Sequence, residues 1–217
     1  THCYSYHAGY RVGGPGGKRM KPPIRIKNLL VTRANTTICD ISELTIEHGM
    51  CLGVQGINGS GKSTLLRVLA GLESEYSGLV DIPELYHPVG FVQQSPFLFK
   101  GTVQTNLLYG AKARNIDQAQ DKAAKIATLL EVHSLLNRDV KNLSGGEKRR
   151  IALGRTIILS PSLLLLDEPF TEMDSSGIEL VCHYLRELQT TYSTTLVIAS
   201  PTPLPELLAS DRIVTIG

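Results

Sequence analysis

Residues 56 to 64 read GINGSGKST: a glycine, four intervening residues, then Gly61, Lys62 and Ser63. Glycines at this spacing let backbone N–H groups converge on phosphate oxygens, and a following helix adds partial positive charge from its N-terminus. Lys62 is then placed to reach the β and γ phosphates, and Ser63 offers a hydroxyl to Mg²⁺. The pattern has this meaning only between a strand and a helix. Both are present, since MCLGVQ precedes the loop with strand composition, and Leu65, Leu66, Val68 and Leu69 follow at helical spacing up to Gly71, a candidate C-cap. We therefore expect Gly56, Ile57, Asn58, Gly59, Ser60, Gly61, Lys62, Ser63 and Thr64 to enclose the phosphates of a nucleotide.

A second constellation is the tract LLLLDEP, in which an apolar run delivers Asp167 and Glu168 at its end. In a parallel α/β sheet that edge is where ligands bind. Adjacent carboxylates there divide the labour: Asp167 holds Mg²⁺ in its hydrated shell, and Glu168 orients and deprotonates the water that attacks the γ phosphate. The competing reading is a helix N-cap. A guanine-reading NKxD motif is absent, which argues against a small GTPase.

The third is LSGGEKRR, where Ser144, Gly145 and Gly146 open onto the helical stretch EKRRIALGRTIIL. This is a second place where a hydroxyl and backbone N–H groups meet a helix N-terminus. One nucleotide's γ phosphate is already gripped by the first loop, so the economical use of the second is on a nucleotide held by another copy. A two-fold head-to-tail dimer would bury two nucleotides, each seeing one chain's Lys62 and the other's Ser144. The bland alternative is an ordinary N-capped helix. The stretch GGPGGKR imitates a phosphate loop but fails, because Val12 stands where the first glycine belongs and Arg19 follows Lys18.

The elements that must position these residues follow from periodicity. IRIKNLLV, TTICDISELTIEHG and MCLGVQ carry strand composition, and GLVDIP and VGFVQQ add two more strands. Residues 117 to 136 form a helical stretch rich in alanine and leucine. SLLLLDE and TTLVIAS are the continuous apolar runs of strands buried on both faces of a parallel sheet. Between them Ile178, Val181, Leu185 and Leu188 share a helical face, which predicts a parallel crossover, with Met173 and Cys182 as packing residues. SDRIVTIG reads as a last strand. Residues 1 to 23 show neither periodicity and are expected to be a flexible N-terminal arm; His2, Cys3 and His7 in it lack a second half with metal-ligand spacing.

At 217 residues, 42% hydrophobic and 19% charged, the chain has the composition of a soluble globular protein. A net charge of +2 is too slight to argue for a nucleic acid or a membrane surface. No apolar run approaches the roughly 18 to 20 residues needed to cross a bilayer, so a membrane role would need another chain. Without a CxxC pair or a secretory signal, the four cysteines are expected to be free thiols in a reducing compartment.

GINGSGKST, QQSP, LSGGEKRR, LLLLDEP and EMD occur in the order seen in the ATP-binding cassette (ABC) ATPases, which the chain resembles over residues 24 to 217. The resemblance implies a P-loop NTPase of α/β class, with a mostly parallel central sheet, an N-terminal antiparallel β subdomain and a small helical subdomain at about residues 100 to 155. It implies ATP and Mg²⁺ as ligands, Gln94 as the residue that contacts Mg²⁺ and the lytic water, and Asp174 as the aspartate of the loop that crosses to the other subunit. Asp174 alone reads equally well as a helix N-cap. FLFKGTVQTNLLYG resembles the surface on which membrane domains of such transporters dock.

The sequence departs from the family twice. After TLVIAS the family's histidine is missing and Ser200 stands there; a serine donates one hydrogen bond, is shorter and is never cationic, so hydrolysis is expected to be slow. Where the family often stacks an aromatic on adenine, Arg33 is the nearest candidate, through its planar guanidinium, with a solvated arginine as the alternative. The leading function is the ATP-hydrolysing subunit of an ABC transporter, a homodimer or heterodimer at the cytoplasmic face of the cell membrane, driving a separate transmembrane permease. The alternative is a soluble ATP-gated clamp or scaffold with weak hydrolysis. Direct nucleic-acid contact is not expected, because clamps that grip DNA carry a long coiled coil between the first loop and LSGGE. No regulatory C-terminal domain is expected after the last strand.

Overall fold

The computed structural model describes residues 21–217. The cluster of His2, Cys3 and His7 and the GGPGGKR tract lie outside the described residues. Along the chain the elements are β1 (Ile24–Arg33), β2 (Thr36–Ile46), β3 (Cys51–Gln55), α1 (Lys62–Leu69), β4 (Ser77–Asp81), β5 (Val89–Val92) and α2 (Val103–Ala113). They continue with α3 (Ala119–Leu129), α4 (Gly145–Ile157), β6 (Leu163–Asp167), α5 (Ser175–Tyr192), β7 (Thr195–Ser200) and β8 (Arg212–Thr215).

Two sheets result. One is antiparallel in the order β2-β1-β4, and the other is fully parallel in the order β5-β6-β7-β3-β8. β6 and β7 are parallel neighbours joined through α5, as the apolar periodicity between them predicts. Their unbroken apolar runs have a direct cause. Leu164, Leu166, Leu196 and Ile198 enter a core shared with α2 to α5, while Leu163, Leu165, Val197 and Ala199 enter a second core shared with α1 and the antiparallel sheet. Both faces of each strand are dry, so alternation disappears.

The helices α2, α3 and α4 pack on one another. The sequence led us to expect one helix over 117 to 136, but α3 stops at Leu129. There Glu131 takes a left-handed φ of 53°, and the Val132 N–H returns to the Ala127 carbonyl at 2.8 Å. This is the Schellman closure, and it drives Val132 into the core with no exposed surface. α2 was not legible as a helix from its glycine-, threonine- and asparagine-bearing sequence. Its cap, Thr102, accepts from the Thr105 N–H at 3.2 Å, and the buried Asn106 side chain ties the turn down through Phe99 and Thr102. Gly71 follows the cap residue of α1, Ala70, at φ 68°, with its N–H on the Val68 carbonyl.

Candidate functional site

Strand register brings the sequence-predicted residues to one edge. Gln55, the last residue of β3, lies opposite Ser200, the last of β7. Asp167, the last of β6, lies opposite Ala199, and Val92 of β5 lies opposite Leu166. Four adjacent parallel strands therefore end at the same level, and the glycine loop, Asp167–Glu168, Ser200 and Gln94 emerge together from their carboxyl ends.

The loop from Gly56 to Gly61 turns into α1, where Lys62 and Thr64 are buried and Ile57, Asn58 and Gly59 form the exposed tip. Gly61 has a φ of 92°, and a Cβ there would stand 2.2 Å from the Ile38 carbonyl oxygen, so only glycine lets the helix start this close to β2. Lys62 Nζ donates to the carbonyls of Gly56 and Ile57 at 2.7 and 2.8 Å. The ammonium is thus held inside its own loop, with capacity for a third hydrogen bond. The Ser60 hydroxyl is buried without a partner.

Asp167 is 4% exposed, and its Oδ1 is likewise buried and unpartnered. Burial raises its carboxyl above the ordinary aspartate range; the Ser63 hydroxyl opposes this, the Glu168 charge adds to it, and Lys62 opposes it. An unpartnered buried carboxylate oxygen beside a serine hydroxyl is an oxygen donor set suited to a hard divalent cation. Ser63 and Asp167 therefore fit Mg²⁺ and are the residues that would hold it.

Glu168 follows in a left-handed conformation, φ 48°, which a helix N-cap does not use. Its N–H donates to the Ala199 carbonyl at 2.9 Å. Its carboxylate accepts from Gln94 Nε2 at 2.9 Å and faces the Thr171 hydroxyl at 3.5 Å. Water positioned against this carboxylate would have the Gln94 amide beside it.

Ser144, Gly145, Gly146 and Asp174 form a separate group. Ser144 caps α4 in a reciprocal box: its hydroxyl oxygen accepts from the Glu147 N–H at 3.2 Å, and its own N–H donates to Glu147 Oε2 at 2.7 Å. The hydroxyl proton of Ser144 remains available for an anion. Both glycines lie against the 172–173 segment, since a Cβ on Gly145 would meet Glu172 Oε2 at 2.2 Å and one on Gly146 would meet the Glu172 carbonyl oxygen at 3.2 Å. Part of the glycine pair's requirement is therefore internal to the chain. Asp174 caps α5 through the Gly177 N–H at 2.9 Å, which holds its carboxyl below the usual range.

Arg33 is paired with Glu73, which lies beyond the C-terminal end of α1. An adenine ring stacked on Arg33 would share the guanidinium with that carboxylate. Sequence reasoning missed Arg149 and Glu172. Arg149 is 7% exposed, donates to the Gln94 backbone carbonyl, and lies 3.6 Å from Glu172 Oε2. The available signal was a cation three and four residues before Ala152 and Leu153, on the face of α4 that enters the core.

The family model described as ABC transporter matches residues 39–171. Curated relatives include the tungstate uptake system ATP-binding protein TupC of Peptoclostridium acidaminophilum, 33% identical over 73% of this chain and 77% of that protein. The sn-glycerol-3-phosphate import ATP-binding protein UgpC of Bartonella quintana is 34% identical over 83% of this chain and 55% of its own length. The sulfate/thiosulfate import ATP-binding protein CysA of Mesostigma viride is 33% identical over 88% of this chain and 58% of its own length. The chain thus spans little more than half the length of the latter two relatives. Among solved structures, the dimeric bacterial ABC transporter cassette MJ0796 superposes with a TM-score of 0.78 at 22% identity, covering 89% of this chain and 94% of that one. At that identity the likeness concerns the fold.

Proposed function

This chain belongs to the ABC transporter family, and from that premise we propose that it is an ATP-binding and ATP-hydrolysing subunit that closes on a second copy or a close relative around two ATP molecules. The observation that carries the reading is the common level at which β3, β5, β6 and β7 end, because it brings the glycine loop with Lys62 and Ser63, the Asp167–Glu168 pair, Ser200 and the segment that carries Gln94 to one edge of the parallel sheet.

In this reading the loop N–H groups and the α1 N-terminus bind the phosphates, and Lys62 gives its remaining hydrogen bond to them. Mg²⁺, when bound by Ser63 and Asp167, neutralises charge on the phosphate oxygens. Glu168 accepts the proton of the attacking water, with Gln94 fixing that water's orientation. Ser144 and the N–H groups at Gly145 and Gly146 of the second copy contact the γ phosphate from the other side. Asp174 lies in the loop that faces that copy.

Phe97, Phe99 and Tyr109 support a docking role for the region after Gln94. Phe97 is 69% exposed, the Phe99 and Tyr109 rings stack at 4.0 Å, and the Arg155 guanidinium lies 5.1 Å from the Phe99 ring centre. Exposed aromatics with an arginine are the composition of an interface centre. We assign this patch to a separate transmembrane permease, which places the chain at the inner face of the cell membrane. Among the described residues no helix is long and apolar enough to cross a membrane.

Hydrolysis is proposed to be slow. The Ser200 hydroxyl oxygen accepts from the Thr202 N–H at 3.3 Å and also lies 3.4 Å from the Thr202 hydroxyl, which gives its proton a partner within the same turn. A scaffold with weak turnover is the second reading, and this contact is what favours it.

The deciding experiment compares the wild type with Glu168→Gln in ATP and Mg²⁺. The variant is expected to lose turnover by about 100-fold or more and to accumulate as a dimer in solution scattering. A variant that stays monomeric at saturating ATP overturns the sandwich, and one that hydrolyses like the wild type overturns the role of Glu168.

A further inference from the structure

We propose that Arg149 is a positioning residue that keys α4 to two loops at once, so that the Gln94–Glu168 pair and the Asp174 loop are set by one guanidinium. The inference rests on reading Gln94 and Glu168 as the hydrolytic pair.

Arg149 lies on the core-facing side of α4, and a guanidinium taken out of water there is costly unless its donors are met. Two are. Nη1 donates to the backbone carbonyl of Gln94, whose side chain in turn donates to Glu168. Nη2 faces the Glu172 carboxylate at 3.6 Å. Nε has no partner, so these two contacts from one planar fork hold the group.

Glu172 is constrained on its own account. Its backbone φ is 62°, a left-handed conformation unfavourable for a glutamate. Its carboxylate rests against Gly145, the first residue of α4, where the helix N-terminus favours negative charge. The stretch from Glu172 to Asp174 is thereby held against α4 by Arg149 and by the helix end together. Only Met173 separates Glu172 from Asp174, the residue proposed to face the other copy. A shift of the Asp174 loop would move Glu172 relative to Arg149, and Arg149 in turn bears on Gln94. The glycine loop that binds the phosphates has no contact with Arg149 among the described hydrogen bonds and ion pairs.

The separation predicts a split. In the full chain, Arg149→Met is expected to lower kcat for ATP by about 10-fold or more, leaving KM within about 2-fold because the Lys62 loop is untouched. Arg149→Lys, which can meet one partner but not both, is expected to recover part of the rate. Independently of turnover, amide hydrogen exchange without nucleotide should rise in both 93–99 and 170–174 in Arg149→Met. Glu172→Gln, changed at an exposed carboxylate, should raise exchange in 170–174 and serves if Arg149→Met does not fold. The proposal is overturned if exchange in either segment is unchanged in Arg149→Met, if Glu172→Gln leaves 170–174 unchanged, or if KM moves as far as kcat. Should the wild type hydrolyse no faster than Glu168→Gln, the hydrolytic reading fails by itself. The exchange measurement still decides whether Arg149 couples the two loops.

Discussion

Ser200 ends β7 directly opposite Gln55, the residue that precedes the glycine loop. Its hydroxyl faces Thr202 rather than the Glu168 carboxylate, accepting from the Thr202 N–H at 3.3 Å. The position is thus beside the proposed phosphate site, while the side chain there neither carries charge nor extends beyond its own turn.

Restoring reach and charge at this position should restore rate. Ser200→His is expected to raise ATP turnover by about 10- to 100-fold, the scale of one charge-stabilising donor. Steady-state phosphate release at saturating ATP measures it. No increase would show that the serine does not limit hydrolysis.

Asp167 sets stability against ligand binding. Its carboxyl is raised by burial, with Oδ1 unpartnered, so the charged form is unfavourable without a cation. Asp167→Asn keeps the shape and removes the charge. It should raise the melting temperature of the nucleotide-free chain by about 2 to 4 °C, as expected for about 1 kcal/mol in a domain of this size. The same variant should lose the stabilisation by Mg²⁺-ATP that the wild type gains. A lower melting temperature without ligand would contradict the account.

Arg33 offers a sharper choice. If its guanidinium stacks on adenine, Arg33→Ala should weaken ATP binding several-fold, and Glu73→Gln, which frees the guanidinium from its partner, should not. Equal ATP affinity in wild type and Arg33→Ala, by calorimetry, assigns the residue to the Glu73 pair alone.

The buried thiols carry a pH dependence. Burial pushes Cys51 up to about 12 and Cys39 and Cys182 up to about 11, from an ordinary 9.0. The folded state therefore keeps these protons longer than the unfolded chain. Their contribution to stability is complete below pH 9 and is lost as pH rises from 9 through 11 to 12. Melting temperature should fall across that window, and less steeply in Cys51→Ala. At pH 7.5 a maleimide should label these three positions only after denaturation; rapid labelling of the native chain would show that they are not sealed.

Much of the proposed phosphate-binding apparatus was legible in the sequence, because its determinants are local. GINGSGKST needs only a strand before it and a helix after it, and LLLLDEP announces a strand dry on both faces that ends in two carboxylates. The capping roles of Ser144 and Asp174 are also local, each set by a backbone N–H three residues on. The end of α3 was misread because it depends on the burial of Val132, which local helix propensity does not report.

What the chain order alone determined was therefore the set of candidate reacting groups and the elements that carry them. Tertiary structure decided which of those groups meet. Gln94 and Glu168 are separated by 74 positions and come within 2.9 Å only because β5 and β6 pair in parallel register. Arg149 reads in sequence as one more charge in a basic run. It becomes a buried link between two loops because α4 packs its apolar face, with Arg149 on it, against the sheet. Propensity and motif spacing act over one turn or one strand, whereas register and burial are properties of the assembled core.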